Sequence, residues 1–182
     1  GQAFFGFARH GIVPDMITMG KPMGNGIPIS GLAAKEDVLA AFSDKLPYFN
    51  TFGGNPVSIA AAQAVLKYIK DENLQEHCKK AGAALLKALK EVQERHPESV
   101  GDVRGAGLFL GFEFVKNDGN KTPDKDMALN VIEMLRDEHI LTSVIGHYGN
   151  ILKLRPPMVF SENDIDWFAT SLDKCITKLE NK

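Results

Sequence analysis

From residue 74 to residue 94 the apolar positions Leu74, Cys78, Ala81, Leu85, Leu89 and Val92 return every three or four residues, with charged residues between them. That period predicts an amphipathic helix. The same spacing predicts a helix over 124–138 through Met127, Val131, Met134 and Leu135. A last helix is predicted over 163–179 through Ile165, Phe168, Leu172, Cys175 and Leu179, with Ser161 or Glu162 near its cap. Asn55-Pro56 opens an alanine-rich helix running to about residue 68 or 69, and Pro56 suits its first position. A brief helix over 36–42 precedes it.

The remaining apolar runs are too short for helices. Residues 16–19 and 29–34, bounded by Pro14, Lys21 and Lys35, read as short buried strands. Beyond His96-Pro97 strands are predicted at 100–103 and 107–115, the second alternating as a half-buried strand does, then at 140–143 and 150–154. Residues 116–123 form a polar loop. The chain thus changes character near residue 70. Residues 1–70, glycine-rich and loop-heavy, read as the end of a larger α/β domain, because a complete parallel sheet needs several βαβ units. Residues 71–182 read as a linking helix and a small α+β domain.

Composition limits what such a chain can be. With 182 residues, 44% hydrophobic and 24% charged, it is ordinary globular material. A net charge of -2, with both signs interspersed, offers no basic field for nucleic acid or an anionic membrane. No apolar run approaches transmembrane length, and the start Gly1-Gln2-Ala3-Phe4-Phe5 resembles no signal peptide; without an initiator Met it reads as a processed or excised segment. The two cysteines, Cys78 and Cys175, fall inside helical apolar patterns and read as buried reduced thiols, which suits the cytoplasm or another reducing compartment. His10, His77, His96, His139 and His147 have no partners at metal-ligand spacing, so no metal is expected; Gly146-His147-Tyr148-Gly149 reads as a surface turn.

One stretch carries chemistry. In Thr18-Met19-Gly20-Lys21-Pro22-Met23-Gly24-Asn25-Gly26 a single lysine stands in a glycine-bracketed turn directly after an apolar run. Lysine can form an imine with an aldehyde, provided that it is held rigidly and has room beside it. Glycines allow close approach, and Pro22 and Pro28 stiffen the turn. On local chemistry alone, a solvated loop lysine fits these residues as well. Arg104, in Gly101-Asp102-Val103-Arg104-Gly105-Ala106-Gly107, reads as part of a structural turn. The glycines after it lack dinucleotide-loop spacing and open a strand instead of a helix.

Four blocks occur in an order that resembles the class III pyridoxal-phosphate-dependent aminotransferases: residues 14–28 around Lys21, then Asn50-Thr51-Phe52-Gly53-Gly54-Asn55-Pro56, then 101–108, then Leu154-Arg155-Pro156-Pro157-Met158. The resemblance implies an α/β fold of the fold-type-I class, pyridoxal 5'-phosphate (PLP) as cofactor, and a homodimer with a shared active site. It implies that Lys21 is the catalytic residue and cofactor anchor, forming a Schiff base with PLP and shuttling a proton on the substrate. Thr51 matches the threonine that reaches the PLP phosphate from the neighbouring subunit, and N–H groups of the Gly53-Gly54 turn suit the same anion. The implied reaction moves an amino group from a small amine or amino acid to a 2-oxo acid.

The last block departs from the pattern. Where many family members carry a carboxylate-binding arginine, three residues before the double proline, this chain has Lys153, with Arg155 two residues on. That form is closer to the phospho-lyase branch, which expels phosphate from amino-phosphate esters such as ethanolamine phosphate. A third reading is a non-catalytic piece of a longer polypeptide, since the residues that stack on PLP in the family would precede Gly1.

Overall fold

A computed structural model describes residues 1–181. Two compact units appear: one is Ala3–Gln75, the other runs from Glu76 onward and includes Gly1–Gln2. The boundary falls inside a helix, a few residues beyond the change of character at residue 70.

In the unit Ala3–Gln75, a 3-10 turn at Gly6–His10 that the sequence pattern did not predict precedes strand β1, Met16–Met19. A second 3-10 turn, Lys21–Gly24, follows directly, and then β2, Gly31–Ala34, pairs antiparallel with β1 so that Met19 faces Gly31. Both strands are half-exposed instead of buried, with Met16 and Leu32 each more than half open to solvent. A two-stranded ribbon supplies no layer to cover its second face. Helix α1, Glu36–Ser43, and α2, Pro56–Asp71, complete the unit. Pro56 takes the first helical position and Asn55 caps it, its Oδ1 accepting from Val57 N at 3.0 Å and Ser58 N at 3.2 Å.

The second unit is built on α3, Leu74–Arg95, which begins two residues before it, and on an antiparallel sheet in the order β3-β4-β6-β5. Its strands are β3, Val100–Ala106, β4, Phe109–Phe114, β5, Ser143–Ile145, and β6, Ile151–Leu154. Helices α4, Lys125–Asp137, and α5, Glu162–Glu180, pack with α3 on one sheet face. That face carries Val103, Leu110, Phe112, Phe114, Leu152 and Leu154, and the helices contribute Leu85, Leu89, Val92, Val131, Leu135, Leu172 and Ile176, nearly all fully buried. Alternation in β4 and β6 and helical spacing in α3, α4 and α5 meet in a single apolar core.

Two expectations change here. The strand expected at 140–143 lies at Ser143–Ile145, because the Gly146–Gly149 turn sets the register Ile145 to Ile151 and Ser143 to Lys153; Ile140 instead closes the end of α4 through its N–H to Leu135 O. Arg104 lies in a strand and not in a turn. Strand β3 continues to Ala106, Arg104 pairs with Gly111, and the chain reverses at Gly107-Leu108.

Polar groups pin the helices of this unit. Ser161 and Asp164 form a capping box at the start of α5. His96, 6% exposed, sits between Glu180 Oε2 at 2.7 Å and Asp173 Oδ1 at 3.1 Å, and Arg95 Nε donates to the same Asp173 oxygen at 2.7 Å. Together they tie the end of α3 to α5. Among the described residues no helix is long and apolar enough to cross a membrane, and no group of three His, Cys, Asp or Glu is arranged to hold a metal.

Candidate active site

Lys21 opens the 3-10 turn that ends β1, with its own backbone in the left-handed region at φ 47°. Such a conformation is uncommon for a residue with a side chain and marks a position held by its surroundings. The surroundings are close. Met23 N donates to Gly20 O at 3.2 Å and Asn25 N to Pro22 O at 3.1 Å, and α2 packs against the turn. Gly24 leaves room for the chain that follows: a Cβ there would stand 2.9 Å from Ile29 Cγ2. The lysine therefore projects from a turn that is fixed on both sides.

It projects into a cavity of about 660 Å³. On one side are Lys21, Pro28, Ile29 and Ser30; on the other are Asn50, Phe52, Gly53, Gly54 and Asn55, with Ser58 and Ile59 from the first turn of α2. The folding back of α2 brings these two segments of sequence together. Asn50 begins a β-turn in which Gly53 N donates to Asn50 O at 3.3 Å. Thr51 occupies the outer corner of that turn, is exposed, and does not line the cavity, although both its neighbours do. The aromatic residues beside it are open as well, Phe49 at 86% and Phe52 at 85%.

The hydrogen bonds also correct one expectation for this turn. Gly53 N–H does not point at the cavity as a free anion donor, because Asn50 accepts it through its backbone oxygen and through Oδ1 at 3.0 Å. At the start of α2 the N–H groups of Val57 and Ser58 are likewise taken by Asn55. The hydroxyls of Ser30 and Ser58 and the amide of Asn50 are cavity residues that the sequence reading did not single out. Their only local signals are a turn-forming Asn and a Ser in a first helical turn.

Lys153 and Arg155 belong to the second unit. Lys153 stands on the sheet face opposite the core, in the row Arg104, Gly111, Lys153, Ser143. Arg104 is committed to structure: its Nη1 donates to Asp102 and to Glu113 at 2.6 Å each, and these bonds push its guanidinium above its ordinary value. Among the described residues Lys153 and Arg155 have no such carboxylate partner. Just beyond Arg155, His77 Nε2 meets Phe160 O at 3.0 Å, and Cys78 Sγ donates to Met158 O at 3.6 Å, so α3 holds the segment that follows the double proline.

The sequence profile of "Aminotransferase class-III" matches residues 1–176. The Caenorhabditis elegans "Ethanolamine-phosphate phospho-lyase homolog 1" is 45% identical over 168 residues, covering 92% of this chain and 36% of that protein. The Arabidopsis thaliana "Alanine--glyoxylate aminotransferase 2 homolog 2, mitochondrial" is 37% identical over 176 residues, covering 97% and 36%. Among solved structures, an Arthrobacter phospholyase in complex with phosphoethanolamine superposes with a TM-score of 0.91 at 37% identity, covering 95% of this chain and 41% of that one. The chain thus spans about 36% of the length of the curated relatives it matches. Its fold is the α/β fold of PLP-dependent transaminases and phospho-lyases. With the match running over nearly all of its length, the chain belongs to the class III aminotransferase family.

Proposed function

We propose that the protein containing this chain is a PLP-dependent enzyme acting on a small amine, with Lys21 as its cofactor lysine. The observation that carries this reading is the placement of Lys21 on a left-handed turn, facing a cavity whose opposite wall is the Asn50–Asn55 segment. The residues fit the group. The cavity lies within the range of about 300–1,000 Å³ usual for small-molecule pockets, and it offers one primary amine for an aldehyde and neutral hydroxyls for polar ring substituents. When bound, PLP supplies the electron sink that stabilises negative charge at the substrate carbon next to nitrogen.

This chain's residues supply the rest. Lys21 Nζ would anchor the cofactor through its aldehyde and would carry the proton to and from the substrate carbon. Thr51, exposed and not part of the cavity lining of its own chain, would serve the phosphate in the site of a second subunit. That arrangement requires a homodimer. Ser30 and Ser58 line the wall beside Lys21.

Two outcomes share this machinery. Transfer of the amino group to a 2-oxo acid is the reaction that the family's name describes. Expulsion of phosphate from an amino-phosphate ester is favoured for this chain by its 45% identity to a protein named as a phospho-lyase homologue. Lys153 in place of arginine supports the same outcome. The test uses the full-length protein with PLP. A visible absorption band should form and vanish in Lys21→Ala; absence of the band in the wild type would sink the PLP reading. Ethanolamine phosphate should then yield inorganic phosphate and ammonia, whereas amino transfer to pyruvate or glyoxylate without phosphate release would reject elimination.

A further inference from the structure

We infer that His96 is a pH-sensitive latch: only its doubly protonated ring fastens the end of α3 to both carboxylates of α5, and loss of one ring proton loosens the last turn of α5. Both ring nitrogens face a carboxylate oxygen, Nδ1 toward Glu180 Oε2 at 2.7 Å and Nε2 toward Asp173 Oδ1 at 3.1 Å. An ionised carboxylate only accepts hydrogen bonds. A neutral imidazole has one N–H and one lone pair, so it satisfies one of these oxygens and turns its lone pair on the other. The imidazolium donates to both. With the ring 6% exposed, water has little room to bridge the failed contact. The shared proton does not sit on Asp173. Burial acts against that carboxylate, but its bonds to Arg95 and His96 outweigh burial and hold it below its ordinary value.

Charge in the cluster balances only in that state. Arg95 Nε, from α3, donates to the same Asp173 oxygen at 2.7 Å, and Ser99 Oγ, from the connection to β3, donates to Glu180 Oε1 at 2.6 Å. Arg95 and a charged His96 then match Asp173 and Glu180; a neutral ring leaves one carboxylate without a cation in a partly buried site. Glu98, on the same connection, accepts from Asn117 Nδ2 at 2.6 Å and stays outside the cluster. His77, the other ring of α3, meets Phe160 O and lies about 28 Å away along the helix. The two carboxylates are not equal. When the ring proton leaves, Asp173 keeps Arg95, whereas Glu180, the last residue of α5, keeps only the Ser99 hydroxyl among the described residues. The tie is therefore present at neutral pH and below and is lost as the pH rises through deprotonation of the ring, starting at the end of α5.

Amide hydrogen exchange of the full-length protein, read by mass spectrometry from about pH 6 to 9 and corrected for the intrinsic exchange rate, tests the latch. Peptides spanning residues 172–180 should lose protection at least about ten-fold across that range, while those of β4 keep theirs. His96→Gln, which offers a donor but does not titrate, should show no such fall. Glu180→Gln keeps the ring and removes one carboxylate, and its amide can donate to the lone pair of a neutral imidazole. Its α5 peptides should hold at pH 9 the protection they have at pH 6. Protection of residues 172–180 that is independent of pH in the wild type, or the same fall in either variant, would overturn the inference.

Discussion

Gly82→Ala separates two physical effects of opposite sign. Gly82 lies inside α3, where alanine is worth about 1 kcal/mol more than glycine by helix propensity. Yet a Cβ at this position would stand 2.2 Å from Gly107 C, 2.3 Å from its O and 2.5 Å from its Cα. These are backbone atoms in the reversal between β3 and β4, where Gly107 itself is held at φ 54°. Neither side can yield. The helix is anchored by Leu85, Leu89 and Val92, all 0–1% exposed, and β3 and β4 are paired without interruption from Asp102–Glu113 to Ala106–Phe109. Relief requires the two backbones to separate by roughly an ångström, which places the overpacking penalty at or above the usual range of about 1–3 kcal/mol. After the propensity gain, a net loss of about 2 kcal/mol is expected. Urea unfolding of the full-length protein, followed by far-UV circular dichroism, should show a lower midpoint with an unchanged slope. Ala84→Gly, on the exposed side of the same helix, serves as the propensity control and should lose about 1 kcal/mol. Equal or greater stability of Gly82→Ala would refute the backbone-to-backbone contact between α3 and the β3–β4 reversal.

Two further outcomes follow from the second unit. Burial acts to raise the Asp173 carboxyl, but the hydrogen bonds and charges of Arg95 and His96 outweigh it and hold the group below the ordinary carboxylate range. The stabilisation is therefore present above the unfolded value near pH 3.9 and is lost as pH falls through the lower folded value. Asp173→Asn should destabilise at pH 7 by about 1–2 kcal/mol, with variant and wild type converging in denaturant titrations as the pH drops below about 4. Cys78 and Cys175, 5% and 3% exposed, are both pushed up chiefly by burial, so a thiol reagent followed by mass spectrometry should label neither in the native protein and both after unfolding. Labelling of either native thiol at the rate of a free one would contradict the packing of α3 or α5.

The helices were legible because their information is local. The apolar stripe of α3, the Asn55-Pro56 start of α2 and the Ser161 cap of α5 each lie within a few residues of what they specify. The tight turn that carries Lys21 was legible too, through the glycines and prolines around it. Strand positions were less so. The run 140–145 is apolar at several points, and only pairing with β6 selects Ser143–Ile145 from it. Arg104 read as a turn residue because glycines surround it, whereas the sheet extends β3 through them.

What the sequence determined by itself is the set of helices, the apolar faces that must be covered, and the family in which a lysine such as Lys21 is at home. Only the tertiary structure decided which distant groups meet. The wall facing Lys21 lies about thirty residues further along the chain, and it arrives there because α2 packs back on the Lys21–Gly24 turn. His96 gained its role when α5 delivered Asp173 and Glu180 to it. Periodicity and capping act over one or two turns of chain, whereas a cavity and a buried polar cluster exist only once separate elements have packed.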